Sequence, residues 1–594
     1  MTRRILSAVL LLAAPILAAD DAVFRAMRDE LARSMRKLQL ENLQKPYFIA
    51  YRIVESDSCT AMASFGALVT SACPGAGSAQ GRTRTLSVEV RVGDYARDNT
   101  NFYAFQLQTA GVIRFQAAGG VSIPIDDNYD EIRRQLWLAT DSGYKQALDV
   151  YAKKKAALEN RTRTDDAPDF SKEPVVTDTE DAPRIELNQA EAESMAKALS
   201  ALFRQAPGID NSQVRVTAAN MLTRYVNSEG TSFSRQSPSI SVVANADTQA
   251  EDGMPLADFE AIYARTIREL PPREEIAKRI GALETRLQNL RKAALVERYT
   301  GPVLFEGEAA AELMVQGFAP AFIGVPRLVV DDVRFEKIFA SDDGSLIDKM
   351  GGRVLPDFLS LSDNPAAREF QSKPVFGGYQ VDEDGVKAQP TVLVEKGTLK
   401  TLLRTRSLIA GTTHSTASRR GPGPLPSNLV FTADKMLPPE QLKAELMRLV
   451  KQRGKEYGIL VRRINNPSLA QSLGRSRTVI ITNRGSGAVD VDPLIEAYKI
   501  YPDGREELVR NLNILGLSLS AFKDIVAAGD APFVYTAPIR LRRVSPVVGG
   551  LFFNGALNLV SVAVPSLLFD ELTLQRPTGE VPNLPFTKHP FFEH

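Results

Sequence analysis

The chain has 594 residues, 44% apolar and 24% charged, which suits two or three domains with ordinary cores. Lys and Arg number 72 against 71 Asp and Glu, so net charge offers no electrostatic case for nucleic acid or an anionic membrane surface. Three histidines and two cysteines in all leave few donors for a site that gathers several imidazoles or thiolates.

The chain opens on MTRRILSAVLLLAAPILAADD. Arg3 and Arg4 precede an apolar run from Ile5 to Leu17, and Ala18 and Ala19 close it. This is the layout of a secretory signal peptide, and the run falls short of the roughly 20 residues that span a bilayer. The expectation is a signal peptide over 1–19, a secreted or periplasmic protein, and no membrane span after cleavage. In an oxidising compartment a disulfide between Cys59 and Cys73 is expected, with two buried thiols as the alternative.

Phe24, Met27, Leu31, Met35 and Leu38 share one face and predict an amphipathic helix over 22–43. PYFIAYRIVE reads as a strand. RTLSVEVRVGD alternates apolar and polar residues, as a half-buried strand does. Helical spacing returns over 129–158 through Ile132, Leu136, Tyr144, Leu148 and Tyr151. Residues 20–159 therefore read as an N-terminal α+β domain. The polar stretch 160–184 reads as a linker or long loop.

A middle α+β domain is expected over 185–298. It holds a helix in ELNQAEAESMAKALSALFR, then two strands about the turn Asn227–Gly230. It ends in a long helix over 271–298, opened by Pro271 and Pro272 with Glu274 and Glu275 in its first turn. The stripe Ile276, Ile280, Leu283, Leu287, Leu290 and Ala294 is shorter than a coiled coil requires, so packing on the protein's own sheet is expected, with a partner helix as the alternative. From 299 to 594, short runs such as GILVRRI, RTVIITNRG, EAYKIY, PIRLRRV and ALNLVSVAVP lie between Gly, Pro and Asn turns and predict a large strand-rich domain. The fold class is multidomain α+β.

Chemistry is sparse. His589 and His594 sit in the terminal HPFFEH, and His414 lies in the small-residue loop GTTHSTASRRG. Ser415 beside His414 does not make a triad, because folds bring such groups together from distant positions. There is no G-x-S-x-G elbow and no P-loop. SDDGS (341–345) and VDEDG (381–385) are read as surface turns, the second because it lacks EF-hand spacing. Arg419 and Arg420, framed by Pro and Gly, are candidate peptide-binding residues through forked donors, ordinary structural arginines being the alternative.

YTGPVLFEGEAAAEL, FGGYQVDEDGVKAQPTVLVEKGTLKTLLRTR, STASRRG, DPLIEAYKIYPDGREELVRNLNILG and VPSLLFDELTLQ follow one another in an order that resembles the TldD/PmbA family of peptidases and their paralogues. The resemblance covers most of 185–594. In active members of that family H-E-x-x-x-H and a later Cys hold zinc, leaving an open position for water with Glu as base. Carried over, the His positions hold Phe305 and Ala310, the Glu position holds Glu306, and the Cys position falls in VAAGDAP (526–532), which has no Cys. The resemblance thus implies the metal-less branch: no metal, no cofactor and no catalytic residue, with Glu306 retained at the base position. It also implies association with a metal-bearing paralogue or with a second copy, and flexible peptides as ligands, with no nucleic acid. An independent binding or scaffold protein, or a peptidase with an unrecognised site, are the alternatives.

Overall fold

The computed structural model describes residues 21–74, 81–103, 120–159, 167–331, 346–421, 423–470, 489–539, 559–578, 583–585, 587 and 589–592. The expected signal peptide over 1–19, the SDDGS turn, all of the RTVIITNRG run, most of the PIRLRRV run, and His594 lie outside the described residues.

An eight-stranded sheet organises the N-terminal half. Its order is Val121–Ser122, Arg82–Val92, Pro46–Ser64, Asn211–Asn227, Ser232–Gln249 and Thr177–Glu180, with Ala67–Ala72 added beside Pro46–Ser64 and Pro255–Ala264 beside Ser232–Gln249. This corrects the expected boundary between a domain at 20–159 and another at 185–298. The long strand Pro46–Ser64 pairs antiparallel with Asn211–Asn227 from Ala50↔Asn227 to Ala63↔Val214, so both segments build one sheet. The linker reading of 160–184 also changes. Thr177–Glu180 adds a parallel strand against Ser232–Arg235, and Asp169, Phe170 and Ser171 are buried.

The predicted helices form, with trimmed ends. Helix Ala22–Lys37 is capped by the Asp21 carboxylate, which accepts from the amides of Val23 and Phe24, and it stops before the stretch leading to Pro46. Helix Tyr129–Glu159 buries Ile132, Leu136 and Tyr144 against the same core. Helix Gln189–Ser200 and helix Arg273–Lys292 cover the other end of the sheet. Ile276, Ile280, Leu283, Leu287 and Leu290 are all buried there, so the stripe packs on the protein's own sheet, as its spacing predicted.

The C-terminal half has two six-stranded sheets. One runs Arg298–Phe305, Gly458–Ile464, Leu494–Ile500, Glu506–Leu515, Leu567–Gln575, Ile525–Ala528. Leu567–Gln575 also pairs with Arg298–Phe305, which closes the first five strands into a ring. The other runs Thr398–Leu399, Thr391–Glu395, Leu359–Asp363, Asn428–Ala433, Leu559–Val564, Phe533–Pro538. The two sheets share the largest apolar core, and helix Glu308–Leu313 is part of it.

Candidate functional site

The strand Arg298–Phe305 lies between a parallel neighbour, Gly458–Ile464, and an antiparallel one, Leu567–Gln575. The Glu306 amide extends the first pairing by donating to the Val461 carbonyl at 3.0 Å. Gly307 then takes φ +53°, a conformation that an L side chain adopts only with strain, and helix Glu308–Leu313 begins. Ala309, Ala310 and Ala311 are fully buried; their single methyls let the helix sit close against the sheets. The next five residues widen into a π turn, Met314–Phe318.

Phe305 and Ala310 belong to the apolar core. The Phe305 ring meets Phe569 edge to face, with centroids 5.5 Å apart. Glu306 is partly exposed and faces Arg462 at 3.6 Å. The strand Ile525–Ala528, where the resemblance implies a thiolate, carries none, and the two cysteines of the chain are bonded to each other as Cys59–Cys73. Among the described residues, no group of three or more His, Cys, Asp or Glu side chains is placed to hold a metal ion. The donor set at this step therefore does not fit zinc, which needs nitrogen, sulfur or carboxylate ligands converging on one point. Shifted two places, the same six-residue spacing falls on Gly307, Glu308 and Glu312, still without an imidazole.

Glu308 and Glu312 escaped the sequence reading. Four residues apart in GEAAAEL, they look like the solvent face of a short helix, yet both turn inward. Glu312 is completely buried; its Oε1 accepts from Tyr535 Oη at 2.6 Å and Asn466 Nδ2 at 2.8 Å, and its Oε2 from Gln316 Nε2 at 2.7 Å. Burial pushes its carboxyl above the ordinary range despite these donors. Glu308 Oε2 accepts from Arg463 Nη1 at 2.9 Å, and Arg463 is shared with Asp258. Burial pushes Glu308 up to about 7, against the pull of Arg463. The i,i+4 spacing of two glutamates around three alanines was the available signal.

The other candidates lie elsewhere. VDEDG is a buried turn, not a surface one. Asp382 Oδ1 accepts from the amides of Asp384 and Val386 and its Oδ2 from the Arg419 amide, while Asp384 Oδ2 accepts from the Arg406 amide. The correction has a physical cause: arginines from distant segments supply partners that a turn on the surface would find in water. Burial, with Asp384 alongside, pushes Asp382 up to about 7. Arg419 turns inward to Asp384 at 2.5 Å and Glu89 at 3.2 Å; Arg420 donates to the carbonyls of Pro426 at 2.7 Å and Leu559 at 2.9 Å. Both guanidiniums are thus engaged with the chain itself. The exposed His414 imidazole stands 3.5 Å from Glu173, and Ser415 Oγ donates to the Arg404 carbonyl, so the two do not face one another as base and nucleophile. His589 packs against Phe65 and Phe591.

Residues 298–576 match the family model of the PmbA/TldA metallopeptidase C-terminal domain. This part of the chain, a little under half of it, is a C-terminal domain of the TldD/PmbA type. Solved structures of similar fold include a candidate modulator of DNA gyrase from Thermotoga maritima, with TM-score 0.53 and 15% identity over 89% of this chain and 96% of that one. A second candidate gyrase modulator, from Bacteroides thetaiotaomicron, has TM-score 0.54 and 15% identity, covering 94% and 98%. TldE from Thermococcus kodakarensis has TM-score 0.53 and 12% identity, covering 92% and 99%. At these identities the likeness is one of fold. No curated protein matches the chain. Among the described residues no helix is long and apolar enough to cross a membrane.

Proposed function

We propose that this TldD/PmbA-family chain is an exported, zinc-free subunit that does not hydrolyse peptides itself, and that it binds flexible peptides or completes the cavity of a metallopeptidase complex. The observation that carries the reading is the strand-to-helix step. Phe305 and Ala310 stand in the core where the family's chemistry needs imidazoles, and no thiolate is available nearby. Without a metal to acidify it, a water beside Glu306 keeps its ordinary, feebly nucleophilic character. Export rests on the N-terminal MTRRILSAVLLLAAPILAADD and agrees with the bonded cysteine pair. The partner is a metal-bearing paralogue, itself exported, or a second copy of this chain.

The reading is tested by incubating a flexible, unstructured peptide with the purified chain, with and without added zinc, and following cleavage by mass spectrometry. No cleavage in either condition is expected, with the peptide retained on an immobilised chain. Zinc-dependent turnover by the chain alone would overturn it.

A further inference from the structure

Charge is nearly balanced over the whole chain, but not locally. Helix Ala22–Lys37 carries Arg25, Arg28, Arg33, Arg36 and Lys37 against only Asp29 and Glu30. Its inner face, with Val23, Met27, Leu31 and Ser34, is buried on the sheet, which leaves Arg25, Arg36 and Lys37 exposed. Both acids are engaged. Glu30 is buried and holds Arg33 and Arg133, and Asp29 accepts from the Tyr129 hydroxyl at 2.6 Å. Among the described residues neither Arg36 nor Lys37 has a carboxylate partner.

Helix Tyr129–Glu159 runs beside this helix in the same direction. Contacts advance together from Asp29–Tyr129 and Glu30–Arg133 to Leu40–Tyr144. Two guanidiniums, Arg25 at 5.0 Å and Arg133 at 5.5 Å, approach the Tyr129 ring. On this second helix Glu131 and Asp141 are paired with Arg134 and Lys145. Trp137 stands one turn past Arg133 on the same side of its helix, and Lys37 one turn past Arg33 on its own. Since Glu30 holds Arg33 and Arg133 together, Trp137 and Lys37 flank the same seam. Trp137 is the sole tryptophan of the chain and is 47% exposed, with Leu138 beside it 48% exposed. Tryptophan is highly buried on average, so its exposure among cations points to an occupant.

The surroundings favour lipid over protein. Protein interfaces are depleted of lysine at their centres, whereas an anionic headgroup layer attracts each cation placed near it. Tryptophan and tyrosine, with apolar bodies and polar edges, settle at the headgroup level of a bilayer. The helix also starts directly after Asp21, close behind the apolar run Ile5–Leu17, the segment that export brings to a membrane.

We propose that the outward face of helices Ala22–Lys37 and Tyr129–Glu159 is a docking surface for an anionic lipid bilayer. Arg25, Arg36 and Lys37 meet the headgroups, and Trp137 and Leu138 enter the interfacial layer. The protein lies on the membrane rather than crossing it. This goes beyond the peptide-binding reading and shares with it only the export.

Vesicles decide it, because Trp137 is the chain's own reporter. The purified exported protein is titrated with phosphatidylcholine vesicles and with mixed phosphatidylcholine/phosphatidylglycerol vesicles, following tryptophan emission and co-sedimentation. Anionic vesicles are expected to shift the emission to shorter wavelength and to pellet the protein. Neutral vesicles are expected to do neither at the same lipid concentration, and raised salt to release the protein. Arg36→Gln/Lys37→Gln keeps the reporter and removes two exposed cations, so thermal stability is expected to hold while vesicle affinity falls at least about tenfold. Trp137→Ser is expected to weaken co-sedimentation with the melting point unchanged. No shift and no pelleting with anionic vesicles would overturn the surface. Equal binding to neutral vesicles, or binding unchanged in the double variant, would overturn its assignment to these cations. A blue shift that grows with protein concentration in the absence of lipid would give the face to a second copy of this chain and overturn the lipid assignment. None of these results bears on peptide binding, which is tested separately.

Discussion

The Arg406 guanidinium grips the Glu229 carboxylate with two parallel hydrogen bonds, Nη1 to Oε2 at 2.6 Å and Nη2 to Oε1 at 2.8 Å. Glu229 sits in the turn between the strands Asn211–Asn227 and Ser232–Gln249, and Arg406 follows the buried 381–386 turn of the C-terminal domain, so the pair ties the two halves together. Arg406 is 1% exposed, donates again to the Ser171 carbonyl, and lies 3.9 Å over the Phe170 ring.

Removing one partner of such a pair leaves a buried charge without compensation. Arg406→Met is expected to destabilise the protein by about 3–5 kcal/mol in urea unfolding. Arg406→Lys is expected to recover only part of this, because an ammonium cannot reproduce the fork. A loss below about 1 kcal/mol for Arg406→Met would place the pair among weak surface contacts.

The Cys59–Cys73 bond joins the strand Pro46–Ser64 to the end of the strand Ala67–Ala72 across a sequence separation of 14. A loop of this length contributes roughly 3 kcal/mol in the chain-entropy account. Melting curves with and without reductant are expected to separate clearly, and Cys59→Ala/Cys73→Ala is expected to melt where the reduced protein does. Coincident curves would mean that the thiols are not paired in solution.

Asp363 gives a pH dependence with a definite sign. Burial pushes its carboxyl from 3.8 up to about 6, against the donors of Ser427. The folded state then holds its proton more tightly than the unfolded chain. Its stabilising contribution is complete below about pH 4 and is lost as pH rises through about 6, worth about 3 kcal/mol for a shift of this size. Asp363→Asn is expected to flatten the fall in stability over this window. An unchanged slope in the variant would assign the dependence to other groups. Glu89 acts in the opposite direction: burial alone would raise it, but Arg91 and Arg419 hold it down at about 2, so its contribution is lost only in strong acid.

Phe305 and Glu306 separate packing from chemistry at neighbouring positions. Phe305→Ala opens a cavity beside Phe569 and is expected to cost about 3–5 kcal/mol. Glu306→Gln breaks only a partly exposed pair with Arg462 and is expected to change stability by less than about 1 kcal/mol, with no effect on peptide cleavage. Loss of a peptidase activity in Glu306→Gln would contradict the zinc-free reading.

Much of this architecture was legible locally. The 4-3-4-3 stripe of Ile276, Ile280, Leu283, Leu287 and Leu290 foretold both the helix and its buried face, and the alternation in Arg82–Val92 foretold a strand, but not that its polar side is covered: Arg84 and Arg91 are buried among carboxylates. What escaped was whatever depends on distant partners. Nothing near Pro46–Ser64 says that its neighbour is Asn211–Asn227, so one sheet read as two domains. The carboxylates of VDEDG looked solvated because Arg406 and Arg419, which hold them, lie far along the chain. Glu308 and Glu312 went unremarked because their donors, Arg463, Asn466 and Tyr535, come from two other strand regions.

The central claim is that the protein carries no zinc. Elemental analysis of the purified, dialysed protein, expressed per mole of chain, tests it most directly. Zinc well below one equivalent is the predicted result, since neither Phe305 nor Ala310 offers a donor and both cysteines are bonded. One tightly held equivalent, surviving dialysis, would contradict the account and assign the metal to side chains other than those that converge among the described residues.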